Sequence, residues 1–138
     1  MRQASSTLSF DTLGRGLTEI TSDVSDWVEQ AGMTDGLLTL LCRHTSASLL
    51  IQENAARAVR ADLLAWFEHI APEGDHYRHD DEGPDDMPAH LRATLTGVNL
   101  QIPVANGRMR LGTWQGIYLA EHRRRPHRRE VAVHMIGQ

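Results

Sequence analysis

The sequence predicts a mixed fold of α-helices and β-strands in a single domain spanning residues 1–138. Three observations lead to this prediction. Apolar residues recur at helical spacing in two stretches, and alternating apolar and polar residues mark the last third of the chain. A length of 138 residues is that of one ordinary domain, long enough to bury a core.

The first helical stretch begins at Thr21 or Ser22, which we expect to cap it, and ends at Gly32. A second, longer helix is expected to open at Gln52–Asn54, with Asn54 as its N-cap, and to run to about Ile70. Its core stripe is predicted to contain Val59, Leu63, Trp66, Phe67 and Ile70. A short third helix is predicted from Asp86, its cap, to about Thr96 before Gly97.

Strands are predicted around these helices. Residues 36–43 are nearly continuous leucine, which indicates a strand buried on both faces, with His44 emerging at its end after Cys42. Asn106-Gly107 is a strong hairpin signal within the β-rich last third. Further strands are predicted at 8–10, 17–20, 49–51 and 115–121, and in a final stretch with Val131, Val133 and Met135 inward.

Composition excludes several functions. The net charge of −4 argues against a general nucleic-acid or membrane-surface binder, and no apolar run is long enough for a membrane span. All 14 basic residues are arginine, so Schiff-base catalysis and a Walker A phosphate loop lack their lysine. A lone Cys42 and an N-terminus without a signal-peptide core predict a cytoplasmic protein.

The segment from His79 to His90 carries the clearest functional signal. It contains two histidines and five carboxylates in twelve residues and has no apolar periodicity. Imidazole suits Zn²⁺, Mn²⁺ or Fe²⁺, whereas carboxylates alone suit Mg²⁺ or Ca²⁺. The alternative is a solvated acidic loop, which most charge runs are.

Three other segments contain candidate functional residues. His44-Thr45-Ser46 follows a buried strand, where a turn can present donors to an anion; the alternative is a core histidine beside turn-forming residues. Trp114 and Gln115 either line a pocket or anchor the core. Glu121 shares a strand face with Gln115 and is expected to reach the same cleft as a ligand or general base. The arginine run at 122–129 is a solvated turn, a phosphate receptor or a partner for the acidic loop of a neighbouring subunit, and it lacks the aromatic residues of nucleic-acid binders.

Taken together, three segments resemble the YjbQ-like family of small bacterial and archaeal proteins. They are residues 44–48 with Gln52-Glu53-Asn54, residues 79–90, and residues 112–117 with Glu121 and Arg128-Arg129. The resemblance implies an α+β fold of packed, mostly antiparallel, sandwich-like β-sheets with about three helices. It also implies a homotrimer whose histidines and acids cluster in a cleft near a subunit boundary and bind a metal ion.

For function, the resemblance implies a secondary thiamine-phosphate synthase activity. That reaction joins a hydroxymethylpyrimidine diphosphate to a thiazole phosphate and releases diphosphate. We therefore expect a small phosphorylated substrate and a divalent metal ion, zinc or magnesium. The alternatives are a metal-dependent hydrolase that uses an activated water, and a non-enzymatic module that binds a phosphorylated metabolite.

The expected roles follow from this resemblance and from the side-chain chemistry. Metal ligands would be His44, His79 and His90, and catalytic groups would be His44, Asp86 and Glu121, the carboxylates completing the metal shell or acting as base. Residues expected to contact substrate are Thr45, Ser46, Trp114, Gln115 and Arg128.

Overall fold

The computed structural model describes residues 1–138 and confirms an α+β fold built on two antiparallel sheets. The helices are α1 (Thr21–Ala31), α2 (Arg57–Ile70) and α3 (Asp86–Thr96). The strands are β1 (Arg2–Asp11), β2 (Gly16–Glu19), β3 (Gly36–Cys42), β4 (Ala47–Glu53), β5 (Asn99–Ala105), β6 (Arg108–Met109), β7 (Gln115–Glu121) and β8 (Arg128–Gly137).

The two sheets pack around one apolar core. The larger sheet has the strand order β1-β8-β3-β5-β6, and the smaller has β2-β7-β4. Sixteen buried residues form the main core cluster, to which β3, β4, β7, β8 and α1 all contribute. The inward residues of β8 are Val131, Val133 and Met135, as the alternation predicts.

Local sequence signals explain several boundaries. Asn106 and Gly107 have φ angles of 54° and 74°, the left-handed pair that a tight β-hairpin needs, and they join β5 to β6. Gly32 adopts the left-handed conformation that ends α1. The side chains of Val24 and Val28 hold α1 against the core.

The start of α2 differs from the prediction. β4 runs through Glu53 and pairs with β7, so Gln52 and Glu53 belong to a strand and Asn54 is not the N-cap. The Glu53 carboxylate instead accepts hydrogen bonds from the amides of Ala55 and Ala56 before the helix begins.

The predicted caps of the other two helices are also wrong. The Thr21 hydroxyl bonds Glu19 and accepts the amide hydrogen of Ile117 rather than capping α1. Asp86 is the first residue of α3, and its carboxylate points to histidines and an arginine instead of to the helix amides. α1 and α3 nevertheless begin at Thr21 and Asp86, close to the predicted positions.

Two apolar faces are more exposed than predicted. The outer face of β3 carries Leu37 and Leu41, which are 38% and 43% exposed, so β3 is buried on one face only. In α2 only Phe67 is buried, while Trp66 and Ile70 are 47% and 40% exposed. Each of these side chains lies on a surface that no other element of the same chain covers.

The segment between α2 and α3, residues 71–85, contains neither helix nor strand. It crosses the end of the smaller sheet where β4 begins and β7 ends. None of the three helices is long and apolar enough to cross a membrane.

Candidate metal site at the end of the smaller sheet

The histidines and carboxylates of the long loop and of α3 converge at one point. His79, Glu82, Asp86 and His90 offer ligand atoms that all lie within 4.8 Å of one another. Asp86 and His90 are four residues apart on α3 and therefore lie on one helix face. The loop supplies the other two residues. The structure thus brings His79, Asp86 and His90 together and adds Glu82, which the sequence did not single out.

Asp86 is the centre of this metal-ligand cluster. Its Oδ2 atom lies 2.8 Å from Nε2 of His79 and 3.1 Å from Nε2 of His90. Burial alone would raise the pKa of Asp86, but the charge of His90 and the hydrogen bond from His79 hold it below its usual value. The same hydrogen bond raises the pKa of His79. Both shifts favour a proton on His79 beside an ionised Asp86 carboxylate.

The hydrogen bonding of His90 favours a cation at this place. Its Nδ1 lies 3.0 Å from the backbone oxygen of Thr45, which only accepts, so Nδ1 carries the proton. The other ring nitrogen, Nε2, lies 3.1 Å from Oδ2 of Asp86. A proton or a metal ion between these two atoms makes their contact attractive. Two imidazoles, one of them oriented by a backbone carbonyl, and two carboxylates fit a divalent metal ion.

Arg123, just beyond β7, fixes the acidic loop to the sheet. Its guanidinium donates to Asp85 Oδ2 at 2.9 Å, to Asp86 Oδ1 at 2.8 Å and to the backbone oxygen of Glu82 at 2.9 Å. The amide of Arg124 donates to Asp85 as well. Burial would raise the pKa of Asp85, but these hydrogen bonds lower it to about 2. Both aspartates are therefore ionised and anchored before any ligand binds.

Glu121, a predicted catalytic residue, is engaged in a buried ion pair. Its carboxylate accepts from the Arg129 guanidinium, from Thr12 Oγ1 at 2.6 Å and from the amide of Arg123 at 3.1 Å. Burial would raise its pKa, and the hydrogen bonds from Arg129 and Thr12 lower it below its usual value. Glu121 therefore holds the backbone of Arg123 in place through this amide hydrogen bond. It is not one of the four residues of the cluster.

His44 emerges at the end of β3 as predicted, but the structure does not bring it into the metal-ligand cluster. Its Nε2 accepts the amide hydrogen of Glu130 at 2.7 Å. Burial and the nearby Arg129 charge lower its pKa. His44, Thr45 and His90 line one groove of about 490 Å³. His44 is thus a neighbour of the cluster, with only Nδ1 free for a ligand.

The predicted substrate-contacting residues are divided between two regions. Thr45 is exposed in the groove, whereas the Ser46 hydroxyl accepts from Arg129 at 3.0 Å. Trp114 is 63% exposed, and Gln115 accepts from the amide of Gly112 in a local turn.

Gln115 and Glu121 lie at opposite ends of β7, about 20 Å apart at the rise of an extended strand. The expectation that they would face one cleft is therefore wrong for a single chain. Trp114 precedes β7 at the Gln115 end, so this chain does not bring it to the metal-ligand cluster.

Arg128 was predicted to contact substrate, but Arg129 is the arginine whose side chain is buried in the structure. Arg129 has the same strand parity as Val131 and Val133, which were predicted to face the core, so alternation alone could have identified it. Arg128 is exposed and makes no ion pair. No sequence signal separates Arg123 from the other arginines of its run.

The chain is similar to known proteins in both sequence and fold. The sequence model of the family described as UPF0047 protein YjbQ-like matches residues 6–138, so the chain belongs to that family. It is 50% identical to a UPF0047 protein of Synechocystis over 99% of this chain and 94% of that protein. It is 41% identical to the UPF0047 protein YjbQ of Salmonella typhimurium over 96% of both chains.

Solved structures confirm the fold. A conserved hypothetical protein of Thermus thermophilus superposes with a TM-score of 0.82 at 36% identity, covering 93% of this chain and 97% of that chain. A YbjQ-like protein of unknown function from Sulfolobus solfataricus superposes with a TM-score of 0.88 at 24% identity, covering 99% and 100%. At that identity, the second likeness concerns the fold alone.

His122 lies between Glu121 and Arg123 and is 2% exposed. Its Nε2 lies 2.8 Å from the Ser48 hydroxyl, and the edge of its ring meets Phe67. Burial and the charge of Arg92 lower the pKa of His122 to about 4. The His122 side chain is therefore uncharged in the folded protein near pH 7.

We expect this buried histidine to make the protein less stable in mild acid. In the unfolded chain His122 has an ordinary pKa of about 6.5, so between about pH 6.5 and pH 4 only the unfolded state binds its proton. The free energy of unfolding should therefore fall by about 2 kcal/mol from pH 7 to pH 5 on account of His122. Urea unfolding at the two pH values measures this loss.

The control is His122→Gln, which keeps a polar atom near Ser48 but does not titrate. The other groups titrate in both proteins, so the difference between their two pH dependences isolates His122. Equal losses of stability in the wild type and His122→Gln would show that His122 is protonated in the folded state.

Proposed function

We propose that the protein is a metal-assisted transferase with thiamine-phosphate synthase-like activity. The observation that carries the proposal is the metal-ligand cluster, in which two imidazoles and two carboxylates offer ligand atoms that all lie within 4.8 Å of one another. The activity itself comes from the family resemblance. The reaction forms a carbon–nitrogen bond to the thiazole and breaks the carbon–oxygen bond to diphosphate, which leaves with its electron pair.

The residues around the cluster suit the handling of a diphosphate group. A divalent ion held by His79, Asp86 and His90 would neutralise charge on the leaving group. Glu82 is exposed and offers a fourth ligand atom from the loop before α3. Arg123 keeps Asp86 ionised and oriented through its 2.8 Å hydrogen bond. Two of these residues belong to α3, which gives the site a rigid half.

The groove beside the cluster is the natural place for the substrates. Its volume of about 490 Å³ lies in the range of small-molecule sites. His44 presents Nδ1 and Thr45 presents its hydroxyl in this groove, next to His90. We assign Thr45 to a substrate phosphate and His44 to proton transfer or to a further metal contact. A metal-dependent hydrolase would use the same groove with water in place of the thiazole.

We further propose that the chain forms a homotrimer, as the family resemblance implies. Leu37 on β3 lies directly opposite Ile136 on β8, and Leu41 follows on the same face. These three side chains are 38%, 41% and 43% exposed in the order Leu37, Ile136, Leu41. Thr39 and His134 lie between them, so the face is partly apolar and partly polar. Exposed large apolar side chains on a sheet face suit a subunit interface. Assembly would also give exposed Trp114 a way to reach the site of a neighbouring subunit.

The metal assignment is tested by loading the protein with zinc and measuring bound metal by elemental analysis. His90→Ala and Asp86→Asn should each weaken binding by more than about a hundredfold, because even outer partners of metal ligands contribute 10–100-fold. His76→Ala is the matched control, since His76 lies exposed on the same loop outside the cluster. If His79→Ala and His90→Ala both retain full metal content, the assignment is wrong.

The activity is tested by supplying the metal-loaded protein with both substrate halves. Thiamine phosphate and diphosphate should form in equal amounts, and Asp86→Asn should abolish both while His76→Ala retains them. Release of phosphate or diphosphate from the pyrimidine diphosphate and water alone would identify a hydrolase. Stabilisation by these compounds without turnover would identify a binding module.

The assembly is tested by measuring the molar mass of the protein in solution. Wild type should have the mass of three chains, and Leu41→Arg should reduce it to one, because a charge in an apolar interface is not compensated. Leu13→Arg serves as the control, because Leu13 is 94% exposed and lies away from the β3 face. A single-chain mass for wild type would contradict the proposal.

A further inference from the structure

A second, smaller cavity lies behind the sheet end, between β2, β7, α2 and α3. Its volume is about 150 Å³, and its polar side chains are Arg15, Glu68, Arg92, Glu121 and His122. None of the four residues of the metal-ligand cluster lines it. It is therefore distinct from the proposed metal site and from the groove beside it.

Arg92 is the unusual feature of this cavity. It is 3% exposed and makes no ion pair, and its only side-chain hydrogen bond runs from Nη2 to the backbone oxygen of Ala71 at 3.0 Å. Its Nε is buried without a hydrogen-bond partner. Glu68 and Glu73 act on Arg92 only through space, and no carboxylate is paired with it directly. A buried guanidinium without a direct partner is strongly unfavourable, and a bound anion would provide that partner.

Arg15 adds a second positive group to the same cavity. Its Nη2 is also buried without a partner. Its Nη1 contacts Glu73 at 3.3 Å, but that carboxylate also accepts from Arg124 and cannot neutralise both. The arginine donors left without partners therefore belong to two side chains that line one cavity.

The carboxylates of the cavity do not balance these charges. Glu121 is already paired with Arg129, and Glu68 makes no ion pair with either cavity arginine. His122 is bonded through Nε2 to Ser48 and makes no ion pair. The cavity therefore contains guanidinium N–H donors that have no acceptor among its own carboxylates.

From these contacts we propose that the cavity binds a small tetrahedral oxyanion, a phosphate or sulfate group, between Arg15 and Arg92. The volume has space for about five water molecules, which corresponds to the five non-hydrogen atoms of such an ion. The guanidinium donors suit oxyanions in both charge and geometry. Exposed Glu68 and partly exposed Arg15 form the rim through which the ion enters.

The test is a calorimetric titration of the metal-free full chain with inorganic phosphate in chloride buffer at constant ionic strength. Without metal, phosphate has no ion to bind at the metal-ligand cluster. Wild type should bind one phosphate per chain. Arg92→Met and Arg15→Met should each weaken binding about thirtyfold or more, as expected when one partner of a buried charge pair is removed.

Two control variants locate the site. Arg110→Met removes an exposed arginine far from the cavity and should bind phosphate like wild type. Arg125→Met removes an exposed member of the arginine run outside the cavity and should also bind normally. Loss of binding in Arg125→Met, with Arg92→Met unaffected, would place the anion on the surface run and overturn the proposal.

Folding and metal binding are checked separately. In phosphate-free buffer Arg92→Met should unfold at the same denaturant concentration as wild type or higher, because it replaces an unpaired buried charge with an apolar side chain. The zinc content of Arg92→Met should match that of wild type. Failure of the metal proposal can therefore be distinguished from failure of the anion proposal. If Arg92→Met does not fold, the Arg15→Met titration decides.

A phosphate monoester in place of inorganic phosphate separates a free ion from an esterified group. Arg92-dependent binding of the monoester shows that the rim admits a larger molecule, and binding of inorganic phosphate alone assigns the cavity to the free ion. Wild type that binds neither phosphate, sulfate nor the monoester holds only water in this cavity, and the proposal is then wrong.

Discussion

The buried ion pair between Glu121 and Arg129 is the interaction on which the functional end of the molecule depends. Glu121 ends β7 in the smaller sheet, and Arg129 lies in β8 of the larger sheet, so the pair joins the two layers. Thr12 and Ser46 satisfy further hydrogen bonds of the two charged groups. Removing one partner from such a pair costs about 3–5 kcal/mol, because the other charge stays buried. The pair gives the segment that follows β7 a fixed starting point.

From Glu121 a chain of contacts between oppositely charged side chains extends to the surface. The amide of Arg123 is held by Glu121, and its guanidinium holds Asp85 and Asp86. Asp86 in turn contacts both His79 in the loop and His90 on the next turn of α3. Each positive group is therefore followed by a negative one from the core to the histidines. This order explains why a loop without regular secondary structure keeps a defined position.

Much of this fold could be predicted because period-two alternation and turn residues act locally. The strands with Val131 and Ile102, the hairpin at Asn106-Gly107 and the helix end at Gly97 all follow such local rules. The start of α2 could not be predicted, since polar residues before a helix also suit the end of an exposed strand.

The charged contacts of the candidate site could be predicted only in part. The sequence identified His79, Asp86 and His90 through their clustering, but it did not indicate which arginine of residues 123–129 would meet them. That choice depends on how the two sheets align, which no local pattern encodes.

The division of the metal-ligand cluster between two kinds of backbone has a kinetic consequence. Asp86 and His90 belong to a hydrogen-bonded helix, whereas His79 and Glu82 belong to the segment between the helices. Segments without regular hydrogen bonding open locally at a lower free energy than the core. If a metal ion were bound by all four residues, opening of the loop would release His79 and Glu82 while Asp86 and His90 stayed in place on α3. The hydrogen bonds from Arg123 to Asp85 and to the backbone of Glu82 oppose that opening, so they would slow exchange of the ion without any change in the global stability of the domain.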